Sequence, residues 1–87
     1  MGSYSICFNG SVKKELRQIS KPYLQKILSK IEELSDEPRP FGVKLLRGEN
    51  RYYRVRQGDY RIIYDVDDAV RMVTVVAVGH RKEVYEL

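Results

Sequence analysis

The strongest constraint in this chain is a Gly58-Asp59 pair set between two runs of alternating side chains. Tyr53-Arg54-Val55-Arg56-Gln57 leads into it, and Tyr60-Arg61-Ile62-Ile63-Tyr64 leads out. If the pair forms a two-residue hairpin turn, Gln57 faces Tyr60, Arg56 faces Arg61 and Val55 faces Ile62. Partners across strands share a face of the sheet, and neighbours along a strand alternate. Arg54, Arg56 and Arg61 then lie on one face. Tyr53, Val55, Tyr60, Ile62 and Tyr64 lie on the other. A slip of one residue would drive the arginines into the core, so the pattern itself selects this register.

The flanking segments complete an α+β reading. Tyr4, Ile6 and Phe8 alternate with Ser5 and Cys7, as in a short strand with one apolar face. Asn9 and Ser11 are candidate helix caps ahead of Val12, Leu16 and Ile19, which recur at helical spacing. Pro22 suits the first turn of a second helix carrying Leu24, Ile27, Leu28, Ile31 and Leu34. Pro38 and Pro40 end it. Beyond Gly42 the period becomes two. Val43 to Leu46 reads as a short strand, and Tyr52 to Gln57, Tyr60 to Val66 and Val70 to Val78 as longer ones. Asp67-Asp68-Ala69 supplies the second hairpin turn. The expected architecture is an N-terminal strand, a helical hairpin, then antiparallel strands in one sheet with the helices packed on one face.

With 87 residues, residues 1–87 are expected to form a single domain. One cysteine, Cys7, excludes a disulfide framework and fits a reducing compartment; it is expected to pack as a small apolar residue. One Cys and one His are too few for a tetrahedral zinc site. Asp65, Asp67 and Asp68 lack the spacing of a calcium loop and read as a turn. No metal or cofactor is expected. No apolar run approaches the roughly 18 residues of a membrane span, and Ile6 stands where a myristoylation motif needs Ser or Thr. No membrane association is expected.

Charge is concentrated. Residues 44–61 carry six basic side chains (Lys44, Arg47, Arg51, Arg54, Arg56, Arg61) against Glu49 and Asp59. The rest of the chain is balanced, so this segment holds the whole net charge of +4. Like charges opposite each other destabilise a sheet. Three arginines on one face therefore imply a missing anion, and arginine grips phosphate in two-pronged fashion. The competing reading is an ordinary solvated basic face. The final segment, His80-Arg81-Lys82-Glu83-Val84-Tyr85, brings together proton-moving and charge-stabilising groups. It reads equally well as a polar tail anchored by Tyr85.

In this setting the chain resembles the RelE/ParE toxin superfamily, and its RelE branch in particular. The resemblance rests on Lys44-Leu45-Leu46-Arg47-Gly48, Tyr53-Arg54-Val55-Arg56, Gly58-Asp59-Tyr60-Arg61-Ile62-Ile63-Tyr64 and Val78-Gly79-His80-Arg81-Lys82-Glu83-Val84-Tyr85, in that order. It implies the toxin of a toxin–antitoxin system: a cytoplasmic, metal-independent, ribosome-dependent endoribonuclease that cuts messenger RNA. The family's catalytic positions fall on Arg54, Arg56, Arg61, Arg81 and Tyr85, with Lys44, Arg47, Arg51, His80 and Lys82 as auxiliary RNA contacts. The 2′-hydroxyl of the RNA would attack the adjacent phosphate, clamped by Arg54, Arg56 and Arg61. Tyr85 is the candidate base and Arg81 the candidate aid to the leaving group, with His80 open to either proton role. The implied partners are the ribosome, messenger RNA and a cognate antitoxin, the toxin alone being monomeric and its complex with the antitoxin of higher order. The alternatives are a ParE-like inhibitor of DNA gyrase and a non-enzymatic RNA-binding module.

Overall fold

Gly58 adopts φ +61°, a left-handed conformation that costs glycine little. Glycine at the first of two central positions is the signature of a type II′ hairpin turn, whose twist matches that of the strands it joins. Around it, the computed structural model describes residues 3–46, 48 and 51–80. The elements run β1 (Ser5–Phe8), α1 (Gly10–Arg17), α2 (Lys21–Asp36), β2 (Lys44–Leu45), β3 (Tyr53–Gln57), β4 (Tyr60–Asp67) and β5 (Met72–His80). They build one five-stranded sheet in the order β1-β5-β4-β3-β2.

Adjacent strands from β2 to β5 are antiparallel, but β1 pairs parallel to β5, Ile6 opposite Val73 and Phe8 opposite Val75. The sheet is therefore mixed rather than wholly antiparallel. No hairpin ties β1 to its partner, and the helices and three strands between them leave its direction free.

Both helices cover the same face. Val12 of α1 and Ile27, Ile31 and Leu34 of α2 are buried against Val55, Ile62, Tyr64, Val73, Val75 and Val78. On α2 these positions recur at i, i+4 and i+7, the spacing that keeps one stripe on the sheet. Pro22 occupies the first turn of α2, as expected. Asn9 precedes α1, but its side chain makes no capping bond; instead its carbonyl accepts from the Val12 N–H at 3.0 Å.

Two local expectations change and one holds. Val70 is 65% exposed and belongs to the turn between β4 and β5, where Arg71 takes φ +53°. β5 consequently starts later, at Met72, and runs on to His80. The Asp67 carboxylate accepts from the N–H groups of Ala69 (3.0 Å) and Val70 (3.3 Å), the turn role anticipated for the acidic run. Cys7 is exposed rather than packed, because Ile6 and Phe8 take the helix side of β1 and leave Cys7 on the other.

A polar anchor fixes the segment between α2 and β2. The Tyr64 side chain is fully buried, and its hydroxyl donates to the Pro38 carbonyl at 2.6 Å. Burial pushes that phenol well above its ordinary range, with the neighbouring Tyr53 adding to the effect. Arg39 grips Asp68 with two bonds, Nη1 to Oδ1 at 3.2 Å and Nη2 to Oδ2 at 2.9 Å. Its Nε donates to the Tyr53 hydroxyl at 3.0 Å, and its guanidinium lies 5.2 Å from the Tyr53 ring centre. The Tyr4 hydroxyl also donates to Asp68, at 2.7 Å. One carboxylate thus ties together the residue ahead of β1, the post-helix segment and the β4–β5 turn.

The hydrogen bonds from Arg39, then that from Tyr4, hold the Asp68 carboxyl below its ordinary value. A carboxyl lowered on folding contributes stability above its unfolded value of about 4. That contribution fades as the pH falls through the folded value. Asp68→Asn should therefore lower the melting temperature at neutral pH, with the gap to wild type closing below about pH 4. Tyr64→Phe should cost about 1–2 kcal/mol at every acidic to neutral pH, since its phenol does not ionise there. Thermal melts between pH 2.5 and 7 test both.

Candidate functional site

The face turned away from α1 and α2 is where the hairpin register has its consequence. Arg56 stands directly opposite Arg61, as the turn requires, and Arg54 stands opposite Ile63. On the other side of β3, Lys44 stands opposite Arg54. The face thus carries two rows across the strands. One runs Lys44, Arg54, Ile63, Ala77; the next runs Arg56, Arg61, Gly79. Rows two residues apart on the same face are separated by roughly 7 Å, and neighbouring strands by about 4.8 Å. Arg54, Arg56 and Arg61 accordingly share one patch.

An apolar floor supports that patch. Ile63 and Ala77 are buried there, with Leu46, Tyr52 and Val76 packed against them. The register of β4 on β5 shifts between Ile63 and Tyr64, so that Val76 is an extra residue on β5. This bulge lets Val76 and Ala77 both join the floor while Val75 and Val78 keep to the helix side.

The arginines differ in setting. Arg61 is only 7% exposed, so it is no solvated strand residue. Arg54 is half-buried, and its Nε is shut away from solvent without a hydrogen-bond acceptor among the described residues. A buried donor left unmet costs about 1–3 kcal/mol, more when the group is charged. Arg56 is exposed, and Arg51 is exposed just ahead of β3. The described residues offer Arg54 and Arg56 no ion-pair partner. Arginine and phosphate are complementary in shape as well as charge, so the patch is suited to hold an RNA or other phosphodiester backbone.

His80 is not brought to this patch. Its register partner is Tyr60, on the helix side, and its ring meets the Tyr60 ring edge-on at 5.8 Å. Arg47, Arg81, Lys82 and Tyr85 lie outside the described residues. Two residues absent from the sequence reading do reach the site. Lys30 of α2 and Phe41 line a groove of about 390 Å³ together with Gly42, Lys44, Arg54 and Arg56. Nothing local marks Lys30, one of many polar positions on a helix. Phe41 did carry a signal: an aromatic between Pro40 and Gly42, at a turn, has no strand or helix stripe to join.

Among the described residues no group of His, Cys, Asp or Glu is placed to hold a metal ion, and no helix is long and apolar enough to cross a membrane.

Residues 6–85 match the model of the family described as the ParE toxin of type II toxin–antitoxin systems. A protein of Escherichia coli named for its likeness to RelE toxins is 32% identical over 88 residues, covering 97% of this chain and 92% of its own. Among solved structures, a chain of the RelE–RelB complex from Pyrococcus horikoshii superposes with a TM-score of 0.80 at 30% identity, over 91% of this chain and 96% of that one. The isolated RelE toxin of Escherichia coli superposes with a TM-score of 0.78 at 31% identity, over 97% of this chain and 93% of that one.

The opposed charges have a cost in the free protein. Arg56→Gln should leave it equally stable, or more stable by about 0.2–1 kcal/mol, because repulsion from Arg61 is relieved. The gain should shrink as salt is raised. Denaturant titrations at low and high ionic strength measure both effects. A loss of stability at low salt would show that Arg56 serves the fold.

Proposed function

The chain belongs to the RelE/ParE superfamily, the toxins of type II toxin–antitoxin systems, and we propose that within it this protein is a ribosome-dependent endoribonuclease that cuts messenger RNA. The observation that carries the reading is the arginine patch on the face turned away from α1 and α2. Arg54, Arg56 and Arg61 are gathered there, Lys44 and Arg56 stand opposite like charges, and Arg54 keeps a shielded donor unmet. A fold that tolerates this arrangement gains from it only when an anion arrives.

The chemistry follows from the substrate. The ribose 2′-oxygen attacks the adjacent phosphorus, and the bond from phosphorus to the 5′-oxygen breaks. The 2′-hydroxyl proton passes to a base and the 5′-oxygen acquires one. The products are a 2′,3′-cyclic phosphate and a 5′-hydroxyl. Arg54, Arg56 and Arg61 are assigned the clamp on the phosphate oxygens, where preorganised donors are worth most as charge develops. Their charge is permanent, so the reading needs no divalent ion in the cleavage step. By resemblance, Tyr85 is assigned the base and Arg81 the stabilisation of the leaving oxygen. The mechanism gives His80 no proton to move, because its ring lies against Tyr60 on the far side of the sheet.

Such a surface has to be silenced between uses. The likeness to a chain solved as part of a RelE–RelB complex supports a cognate antitoxin as the partner. We assign it acidic residues that approach Arg54, Arg56, Arg61 and Arg81, with the free toxin a monomer in the cytoplasm, where ribosomes are. A second reading has one observation in its favour: the matching family is described by its ParE members. A ParE-like protein would inhibit DNA gyrase and leave RNA intact.

Programmed ribosomes carrying a defined message separate the two. The proposed enzyme should cut within the ribosome-bound codon, leave 5′-hydroxyl ends, and fail on a message with a 2′-deoxynucleotide before the cleaved bond. The same RNA without ribosomes should be cut weakly or not at all. Intact message together with blocked gyrase supercoiling would establish the ParE-like reading instead, and efficient cutting of naked RNA would contradict ribosome dependence.

A further inference from the structure

Phe41 is the most exposed large apolar side chain among the described residues, at 107% of the reference exposure, so it adds nothing to the core. It is held there by the backbone. The Val43 N–H donates to the Pro40 carbonyl at 3.0 Å, closing a four-residue turn. Gly42 takes φ +91° in that turn, the conformation that the third residue of a type II turn requires. Phe41 occupies the outer corner, while Val43 turns back to pack against the core.

The setting of that ring is unusual. Among the described residues, the groove it lines is otherwise walled by Gly42 and four cations, Lys30, Lys44, Arg54 and Arg56, with no carboxylate. Glu33 approaches Lys30 only at 3.8 Å, and it is exposed. Arg54 and Arg56 belong at once to this groove and to the arginine patch. Grooves that bind single-stranded nucleic acid combine these two elements: cations follow the backbone, and bare aromatic faces stack on bases.

We propose that Phe41 with Lys30, Lys44, Arg54 and Arg56 forms a subsite for one unpaired nucleobase of the RNA and its phosphate, next to the phosphate clamp. The inference rests on the endoribonuclease reading and adds a positioning residue to it. Phe41 holds the strand by the flat face of one base, so the adjoining phosphate meets Arg54 and Arg56 in register. A volume of about 390 Å³ is in the range that accommodates a small-molecule-sized group. Stacking is tolerant of base identity, so the subsite orients more than it selects.

The test is single-turnover cleavage on programmed ribosomes, with melting temperature and antitoxin affinity measured in parallel. Phe41→Ala should leave the melting temperature unchanged, because the ring is fully exposed. It should slow cleavage about ten-fold to a hundred-fold at sub-saturating protein, the scale of one lost base–aromatic stack. Phe41→Trp should restore the rate and Phe41→Leu should not, since leucine is apolar without a π face. Abasic nucleotides placed in turn along the message should reveal one position at which wild type and Phe41→Ala become equal. Sensitivity to Phe41 that persists at every abasic position would assign the ring to a ribosomal contact and overturn the subsite. So would wild-type cleavage by Phe41→Ala or full rescue by Phe41→Leu, either of which leaves the endoribonuclease reading standing. If Phe41→Ala weakens the antitoxin complex but not cleavage, the groove is a protein-binding surface and the proposal fails. Absence of cleavage by the wild-type protein removes the endoribonuclease reading and the subsite with it.

Discussion

Arg56 and Arg61 face each other because a type II′ turn at Gly58-Asp59 sets them in register across β3 and β4. The arginine patch on the face turned away from the helices descends from that pairing. The alternation that puts three arginines on one side puts Val55, Tyr60, Ile62 and Tyr64 on the other, where α1 and α2 cover them. The apolar side cannot be satisfied without assembling the charged one. Hydrophobic burial, at about 25 cal/mol per Å² of apolar surface, outweighs repulsion of about 0.2–1 kcal/mol per close pair. The core therefore holds the arginines together in spite of their mutual repulsion.

The same sheet shows what an arginine looks like when it serves stability. Arg39 gives two hydrogen bonds to Asp68 and one to Tyr53, stacks over the Tyr53 ring and ties down the segment that follows α2. Arg54 and Arg56 have no such carboxylate among the described residues, and Arg54 has a shielded donor with nothing to bind. The difference between these sites is chemical rather than a matter of exposure: Arg39 is completed by the protein, whereas Arg54 and Arg56 are left for the anion of the proposed function. That contrast makes a solvated basic face a poor account of the patch, the more so because Arg61 is 7% exposed.

Much of this was legible in the sequence, and the reasons differ by residue. The register around Gly58 followed from a two-residue turn and strict alternation, both local. The stripe of Ile27, Ile31 and Leu34 on α2 was equally local. Four features were not. Lys44 opposite Arg54 depends on a pairing across the segment between β2 and β3, whose length sets no register. The parallel β1–β5 pairing joins residues some 67 apart, beyond the reach of any periodicity. The burial of Arg61 depends on what surrounds it in three dimensions, and the extra residue at Val76, which turned the end of β5, leaves no mark in the composition of the strand. The displacement of His80 from the site has the same origin, since its face is set by counting across that bulge.

The central claim is that Arg54, Arg56 and Arg61 stabilise the charge that develops on a scissile phosphate. The most direct measurement is the single-turnover rate of message cleavage on programmed ribosomes at saturating protein, for wild type and for Arg56→Gln. Saturation removes any contribution from weakened binding, so the rate reports the chemical step. The account predicts a fall of about a hundred-fold to a thousand-fold, the scale of losing one preorganised donor to a developing oxyanion, in a variant as stable as the wild type. A wild-type rate at saturation would show that Arg56 only attracts RNA, and would contradict the assignment.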